Sequence, residues 1–207
     1  CQKRLPENMG IPADQIQVLT PTRKGPSGTM NLNRCLQEAL NPKAPDKREI
    51  LWGERLFREG DRIMQTRNDY DVVWEKEDGT VGTGMFNGDV GKITQIDPSG
   101  EWLSVDFDGR SALYGVEQLA ELDLAYAQTV HKAQGSEYRA VVLAAMPAAQ
   151  SLMVRGVLYT ALTRARELLV VVGDDAAIRS MAANDRQQRR YSGLKWRLSH
   201  ESGLHGN

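Results

Sequence analysis

The sequence predicts an α/β protein whose parallel sheet, with helices on both faces, is interrupted by an inserted small all-β barrel. Three features lead to this prediction: a strand, loop and helix near the start, a row of short strands with hairpin turns in the middle, and two apolar strands joined by a helix near the end. Apolar strands linked by helices are typical of parallel sheets. Neither outer part would complete a sheet alone, so we expect the two parts to join around the barrel.

The opening unit begins with the apolar run IQVLT, residues 16 to 20, which Pro21 ends. This run predicts a buried strand, and the glycines and proline of RKGPSG predict the turn that follows. A helix is then expected up to Asn41 and Pro42, because a proline ends helices at or before the preceding residue. Its apolar stripe at helical spacing consists of Leu32, Leu36, Ala39 and Leu40.

The middle of the chain has a different sequence pattern. It follows a charged segment, residues 43 to 49, that is typical of a linker. Five short runs, DRIMQT, YDVVWEK, VGKITQID, EWLSVDFDG and RSALYGV, are separated by DGT, NGD, DPSG and DG turns. Short strands with hairpin turns of this kind predict a small barrel. The expected boundaries are 1–58 for the first part of the sheet domain, 59–118 for the barrel, 119–185 for the second part and 186–207 for a basic tail.

The closing part contains RAVVLAAM, residues 139 to 146, and LLVVVG, residues 168 to 173. Both runs predict strands buried on both faces, and residues 150–166 between them predict a helix. The tail that follows interleaves arginines and a lysine with Tyr191 and Trp196.

Composition excludes several classes of protein. The formal net charge of the 207 residues is −1, so any nucleic-acid site must be a local patch. Cys1 and Cys35 form no disulfide framework and no zinc motif, which favours a reducing compartment. The longest apolar run is too short to span a bilayer, so we expect a cytoplasmic protein with no membrane partner. Because the chain begins with Cys1 instead of Met, we expect it to be part of a longer protein.

The segment YAQTVHKAQGSEY, residues 126 to 138, concentrates polar side chains between apolar elements. Ligands of open α/β sheets bind beyond the carboxyl ends of the strands, and we expect this segment at that edge. A short helix ended by Gly135 would place Thr129 and Lys132 on one face and His131 and Gln134 on the other. Each residue alone is also compatible with an ordinary hydrogen-bonded or solvated side chain. Together, the adjacent polar groups need partners or water.

A second stretch, LYTALTRAREL, residues 158 to 168, puts two arginines on the predicted helix. Arg164 would lie in a groove above Gly156 and Thr160, with Arg166 near the opposite side. The planar guanidinium matches a phosphate, so Arg164 is a candidate phosphate contact. From this stretch alone, a solvated arginine whose stem covers its neighbours is the alternative.

These two stretches resemble motifs V and VI of superfamily 1 DNA helicases of the RecD/TraA type. The segments PTRKGPSGTMNLNRCLQEALNP and FREGDRIMQTRNDYD…FNGDVGKI are similar to further signature segments of that family. The resemblance runs in family order from Gln15 to about Ala182. It implies a second RecA-like motor lobe into which a Src-homology-3-like barrel is inserted.

The resemblance also implies a role for each polar residue. Arg164 would be the arginine finger, which stabilises charge on the γ-phosphate during ATP hydrolysis. The residues implied at the nucleotide are Arg23, Gln134, Gly135 and Glu137, with Glu137 at the ribose. The residues implied at single-stranded DNA are Thr129, His131, Lys132, Asn68 and Asn87.

The sequence lacks the phosphate-binding motif G-x-x-x-x-G-K-[ST] and a Walker B acidic pair. We therefore expect ATP and Mg²⁺ to be held mainly by an N-terminal RecA-like lobe, and this chain to be inactive alone. The expected activity of the intact protein is a 5′ to 3′ helicase, with its pathway left open. The alternative is a non-enzymatic nucleic-acid-binding module that uses the barrel and the basic tail.

Overall fold

The computed structural model describes residue 1 and residues 3 to 185. The helices are α1 (Arg4–Met9), α2 (Thr29–Leu40), α3 (Arg155–Leu162) and α4 (Asp175–Ala183). The strands are β1 (Ile16–Thr20), β2 (Glu49–Trp52), β3 (Arg55–Arg58), β4 (Arg62–Gln65), β5 (Asp69–Glu75), β6 (Val81–Met85), β7 (Val90–Ile96), β8 (Trp102–Asp106), β9 (Ser111–Gly115), β10 (Leu122–Leu124), β11 (Ala127–Thr129), β12 (Tyr138–Ala145) and β13 (Ala165–Gly173). Short 3₁₀ turns cover Ala13–Gln15 and Val116–Glu121.

A parallel sheet with strand order β11-β1-β12-β13 joins the two ends of the chain. One face carries a core cluster with Val141 and Leu143 that includes side chains of α3 and α4. The opposite face carries a smaller cluster with Ala140, against which Leu5 of α1 packs. The predicted α/β sheet, covered on both faces and interrupted by an insert, is confirmed.

The insert is a curled antiparallel sheet with strand order β10-β4-β7-β8-β9-β5-β6. It encloses a core cluster of thirteen buried residues, among them Phe57, Phe107 and Tyr114. The predicted segment 59–118 contains six of the seven strands, and the seventh, β10, lies just beyond it. The β2–β3 hairpin also contributes to this core, through Phe57 and through Ile50 and Trp52 at its margin.

Two elements of the insert were missing from the sequence prediction. Strand β6, VGTGM, has no apolar run because two of its five residues are glycines. Gly82 is needed there, since a Cβ at this position would lie 2.3 Å from a ring atom of Trp74. The β2–β3 hairpin lies in the segments that the sequence predicts as linker and lobe, although Gly53 at φ +60° marks its turn.

Helix α3 ends earlier than predicted, which moves both arginines off it. The helix stops at Leu162, and β13 begins at Ala165, which pairs with Tyr138 of β12. Arg164 therefore lies in the turn and Arg166 on the strand, so the prediction of a helix to residue 166 is wrong. Strand pairing has overridden local helix propensity here.

Strand β13 is also more exposed than predicted. It is the last strand of the parallel sheet in the described part of the chain, and the side chain of Val172 is 56% exposed. Burial on both faces was inferred from its apolar run alone. Because β13 lies at the edge of the sheet, its side chains are more exposed than the apolar run predicts.

The buried face of α2 is polar, contrary to the predicted leucine stripe. Its buried residues are Thr29, Asn33 and Gln37. The Asn33 amide donates to the carbonyl oxygen of Ala127 (3.0 Å), and its Oδ1 accepts from the backbone N–H of Ala127 (2.6 Å). Because β11 is an edge strand, this side chain satisfies backbone groups that another strand would otherwise pair.

A buried carboxylate joins the lobe to the insert. We call the set Gln37, Asn41, Arg58, Asp61 and Tyr126 the Asp61 junction. The carboxylate of Asp61, fully buried, accepts from the side-chain amides of Gln37 (2.5 Å) and Asn41 (2.7 Å), the backbone N–H of Arg58 (2.7 Å) and the hydroxyl of Tyr126 (2.9 Å). Burial raises the pKa of Asp61, and these four hydrogen bonds oppose the rise. The junction therefore ties α2, the hairpin, the barrel and the second part of the lobe to one atom group.

We expect the substitution Asp61→Asn to destabilise the protein by about 2–4 kcal/mol, because it places an N–H₂ group among four donors and leaves some of them unpaired. Urea unfolding of both proteins measures the difference. The matched control is Asp46→Asn at an exposed position, which is expected to change the free energy of unfolding by less than about 0.5 kcal/mol. Equal stability of the two variants would contradict a structural role for the junction.

Candidate functional site

The polar segment between β11 and β12 crosses the sheet from one edge to the other. Thr129 pairs with Thr20 at the carboxyl end of β1, and Ala140 pairs with Ile16 at its start. Tyr138, two residues before Ala140, therefore lies about 20 Å along the strand direction from Thr129. The expectation that the whole segment lies at the carboxyl edge is wrong: its first half lies there and its second half lies at the amino edge.

The crossing segment is a series of turns and not the predicted two-faced helix. The backbone N–H of Ala133 donates to Thr129 (3.2 Å), and that of Ser136 donates to Ala133 (3.2 Å). Val130 and Ala133 are buried and anchor the turns in the core. Gly135 has φ +87°, a conformation that favours glycine and lets the chain turn toward β12.

Arg164 lies at the amino edge, against the second half of this segment. Its guanidinium donates to the carbonyl oxygens of Ser136 (2.9 Å) and Thr160 (3.3 Å) and to the hydroxyl of Thr163 (3.2 Å). Among the described residues, no carboxylate forms an ion pair with it. Three neutral oxygens thus hold a half-buried cation in place without neutralising it.

Arg166 is only two residues away, and unlike Arg164 it forms an ion pair with a carboxylate. Its Nε donates to Oε2 of Glu137 at 2.8 Å, and both side chains are exposed. The hydrogen bond and charge of Arg166 hold the pKa of Glu137 below its ordinary value. The structure therefore brings Glu137, Ser136 and both arginines together: Arg166 forms an ion pair with Glu137, whereas Arg164 forms none and acts on Glu137 only through its charge at longer range.

His131 and Gln134 are both exposed on the turns. None of the hydrogen bonds between described residues uses either side chain. Both are therefore available to a ligand. Thr129 is half-buried, and its hydroxyl accepts from the backbone N–H of Lys132 at 3.4 Å.

At the carboxyl edge, three cations surround one carboxylate. Asp123 forms ion pairs with Arg55 (3.0 Å) and Arg23 (3.5 Å), and it also interacts electrostatically with Lys132. Burial lowers the pKa of Lys132, Asp123 opposes this shift, and Arg23 adds to it. We call Arg23, Arg55, Lys132 and Asp123 the basic patch. It is a local positive region on a chain whose formal net charge is −1.

Arg23 is not brought together with Arg164. The resemblance implies that Arg23 contacts the nucleotide, yet Arg23 follows the carboxyl end of β1 and lies with Asp123 and Lys132. Arg164 lies at the other edge, beside Ser136. The geometry therefore groups Arg23 with the residues implied at DNA.

Asn68 and Asn87 are brought together at a corner of the barrel. The Oδ1 of Asn68 accepts from the backbone N–H of Asn87 at 2.9 Å, and its amide lies 3.5 Å from the hydroxyl of Tyr70. Tyr70 and Phe86, which the sequence prediction did not include, pack edge to face beside them. They are single aromatic residues in separate strands or turns, so only the observed pairing of β5 with β6 reveals them.

Among the residues that the structure describes, no group of three or more His, Cys, Asp or Glu side chains is arranged to hold a metal ion. No helix within the same residues has the length and apolar character that crossing a membrane requires.

We expect the substitution Arg166→Gln to raise the pKa of Glu137 toward 4.5, because the largest cause of its lowering is removed. The pair stabilises the folded state above pH 4.5, and this contribution is lost as the pH falls through the lowered pKa. NMR titration of the Glu137 carboxyl group measures the shift. The substitution Arg139→Gln, which removes the equivalent pair with Glu167, is the control and leaves the pKa of Glu137 unchanged.

Two family models match the chain. Residues 32–107 match the SH3 domain of ATP-dependent RecD-like DNA helicases, and residues 124–172 match the C-terminal domain of UvrD-like helicases. The first match covers most of the barrel, and the second covers β11 to most of β13 with the crossing segment and both arginines. The sites described above therefore lie largely within segments that these families share.

Curated relatives agree with these matches. The chain is 40% identical over 174 residues to an ATP-dependent RecD2 DNA helicase of Deinococcus radiodurans, covering 84% of this chain and 22% of that protein. It is 32% identical over 185 residues to the RecBCD enzyme subunit RecD of Mycolicibacterium smegmatis, covering 89% of this chain and 29% of that protein. The chain thus spans less than a third of the length of these two relatives.

Solved structures of Pif1 helicases share the fold. One, of two coordinating Pif1 helicases at forked double-stranded DNA, has a TM-score of 0.52 at 18% identity and covers 92% of this chain and 45% of that chain. Another, of Pif1 from Bacteroides with ADP-AlF3 and single-stranded DNA, has a TM-score of 0.51 at 16% identity and covers 98% and 49%. Family models, relatives and fold together identify the chain as a member of the RecD-type family of superfamily 1 helicases.

Proposed function

We propose that this chain is the C-terminal motor lobe of an ATP-dependent DNA helicase and supplies Arg164 as its arginine finger. One observation carries the proposal: the guanidinium of Arg164 is fixed at the amino edge by three neutral oxygens and has no carboxylate partner among the described residues. A half-buried guanidinium that is held in position by neutral acceptors suits charge that develops on a transferred phosphoryl group. Arg166, whose charge is met by Glu137, does not have this property.

The amino edge fits a nucleotide by its donors and acceptors. A guanidinium has five N–H donors, and Arg164 uses three of them in its three hydrogen bonds, so two remain for a phosphate. Gln134 and Gly135 are exposed beside it, and the ion pair of Glu137 uses only Oε2, which leaves Oε1 for a ribose hydroxyl. ATP binding in this proposal also needs Mg²⁺ and a phosphate cradle, which an N-terminal RecA-like lobe would provide.

The carboxyl edge fits a polyanion. The basic patch carries three cations against one carboxylate, and Lys132 is partly desolvated, so a DNA phosphate there would interact more strongly than at a fully solvated lysine. Thr129 and His131 lie on the same part of the crossing segment. We assign Arg23 to this DNA group because of its contact with Asp123.

The crossing segment links the two groups. Only six residues separate Thr129 from Ser136, whose carbonyl oxygen accepts from Arg164. When this lobe and the N-terminal lobe close on ATP, Arg164 would move with the phosphate. The short crossing segment would transmit this movement to the DNA contacts at the opposite edge. Repeated closure and opening would move single-stranded DNA, with 5′ to 3′ polarity as the family resemblance implies.

The proposal covers the intact protein, and we expect this chain alone to lack ATP hydrolysis. We propose the cytoplasm as its location. The alternative of a non-enzymatic binding module uses the barrel and the basic tail, residues 186–207, and the tail lies outside the described residues. An Arg164 that is held by neutral oxygens and forms no ion pair among the described residues has no use in that alternative, and this favours the helicase.

We expect Arg164→Ala in the full-length protein to lower the kcat of DNA-stimulated ATP hydrolysis about 10³-fold or more, with a smaller change in ATP affinity. Steady-state ATPase kinetics with saturating single-stranded DNA provide the measurement. Arg166→Ala is the matched control: it removes an arginine two residues away that is already paired, so we expect kcat to fall less than about tenfold. Similar kcat values for the two variants would rule out the specific role of Arg164.

We expect Lys132→Ala to weaken binding of single-stranded DNA and to reduce the slope of log K against log salt by about 0.7, the loss of one phosphate contact. Fluorescence anisotropy at several salt concentrations measures the slope. The control is Lys43→Ala, which removes an exposed lysine paired with Glu49 at 3.2 Å. An unchanged slope in the Lys132 variant would exclude a phosphate contact at this position.

A further inference from the structure

One face of the parallel sheet is only partly covered along the inner strand β12. On the side of α3 and α4, three alternate residues of this strand are fully buried, namely Val141, Leu143 and Ala145. On the opposite side, Ala140 is fully buried, whereas Val142 and Ala144 are only half-buried. Burial on this side therefore decreases from the amino end of the strand to its carboxyl end.

The edge of the sheet does not account for this trend, because β12 lies between β1 and β13. The partners on β13 follow the same trend: Val170, beside Val142, is half-buried, and Val172, beside Ala144, is 56% exposed. Parallel sheets occur almost only with both faces covered. We call Val142, Ala144, Val170 and Val172 the open face, and its contiguous apolar side chains mark a surface that another segment covers.

Helix α1 covers the remaining part of this side of the sheet. Leu5 and Cys1 pack against one core cluster, which consists of Ile11, Ile16 and Ala140. With six residues the helix is about 9 Å long, whereas the eight residues of β12 span about 26 Å. The helix is therefore too short to cover the whole strand.

The direction of α1 determines which part of the chain lies next to the open face. Gly10, at the C-terminal end of the helix, accepts a hydrogen bond from Arg139 (3.4 Å) near the amino end of β12. Cys1 instead lines a groove with Val18, and Val18 pairs with Val142. The start of the described chain thus lies further toward the carboxyl ends of the strands than Gly10 does, on the side of the open face.

In the intact protein, further chain is available at this position. This chain spans less than a third of the length of its relatives, and the proposed function places an N-terminal lobe before Cys1. The uncovered length of β12, about 17 Å, corresponds to about ten residues of helix. Residues 186–207 also lie outside the described residues, but the five basic residues in RQQRRYSGLKWRL suit an apolar face less well.

We propose that the chain immediately preceding Cys1 forms a helix of about ten residues whose apolar side chains pack on the open face. The inference rests on the proposed function, because this chain is the connection from the N-terminal lobe. The connection reaches the sheet at its carboxyl edge, where the basic patch lies. The two lobes are thus hinged at the DNA edge and close on ATP at the opposite edge, where Arg164 lies.

The test is photo-crosslinking in the full-length protein, with Val172→benzoylphenylalanine as the reactive position. Mass spectrometry after irradiation and proteolysis identifies the attached peptide, and we expect it to lie within the roughly ten residues that precede Cys1. The matched control carries the same group at Val81 of the barrel, a valine that is 61% exposed, and is expected to give no attachment to that segment.

Thiol labelling of the full-length protein provides a second measurement. Val172 and Val81 are similarly exposed in the described chain, at 56% and 61%. We nevertheless expect maleimide to react with Val172→Cys at least about tenfold more slowly than with Val81→Cys, since a covered side chain reacts only when the covering helix moves away.

No attachment to the preceding segment in a folded variant, or equal labelling rates at the two positions, overturns the inference. Hydrogen exchange of the wild-type protein decides the matter if the crosslinking variant does not fold. The ten or so residues before Cys1 should then exchange on the order of 100-fold more slowly than unstructured chain, and exchange at the unstructured rate overturns the inference. An unchanged kcat in Arg164→Ala would instead overturn the proposed function and leave this contact in place.

Discussion

The buried carboxylate of Asp61 is the constraint on which the arrangement of this chain depends. An unpaired charge inside a protein is strongly unfavourable, so Asp61 is compatible with the fold only while its donors remain in place. Those donors come from α2, the hairpin and the segment just before β11, which are far apart in sequence. Arg58, also buried, adds ion pairs to Glu49 and Glu38. The lobe and the barrel are therefore connected by a polar network that tolerates little relative displacement, because any separation leaves charged groups without partners.

Within this frame, the candidate chemistry is divided between two edges of one sheet. Arg164 and Glu137 lie at the amino edge, and the basic patch lies at the carboxyl edge. A single segment contacts both because it crosses over β1 between β11 and β12. Val130 and Ala133 bury the middle of this segment, so a shift at one end is transmitted through packed atoms to the other. Coupling of two ligands in this proposal is a consequence of strand order.

The sequence was sufficient for features that local patterns determine and insufficient for those that tertiary contacts determine. Apolar runs predicted three of the four parallel strands, β1, β12 and β13, but not β11, and turn residues predicted most of the barrel. The end of α3 was missed because residues 163–166 have helical propensity and become turn and strand only by pairing with β12. The polar face of α2 was missed because Asn33 and Gln37 acquire buried partners from distant segments. Residue types identified Arg164 as a candidate, but its lack of a carboxylate partner and its distance from Arg23 required coordinates.

The amide of Asn33 has a topological consequence. Because it forms hydrogen bonds with the backbone N–H and carbonyl oxygen of Ala127, the edge strand β11 needs no additional strand beside it. The chain leaves the lobe after α2 and returns through β10 and β11 at this same edge. A module placed between these points enters and exits side by side, and its size has no influence on the strand order of the lobe. The fold thus provides an attachment point at which an accessory domain can be enlarged without a change in the strand order of the lobe, provided that Asp61 and Arg58 stay in place.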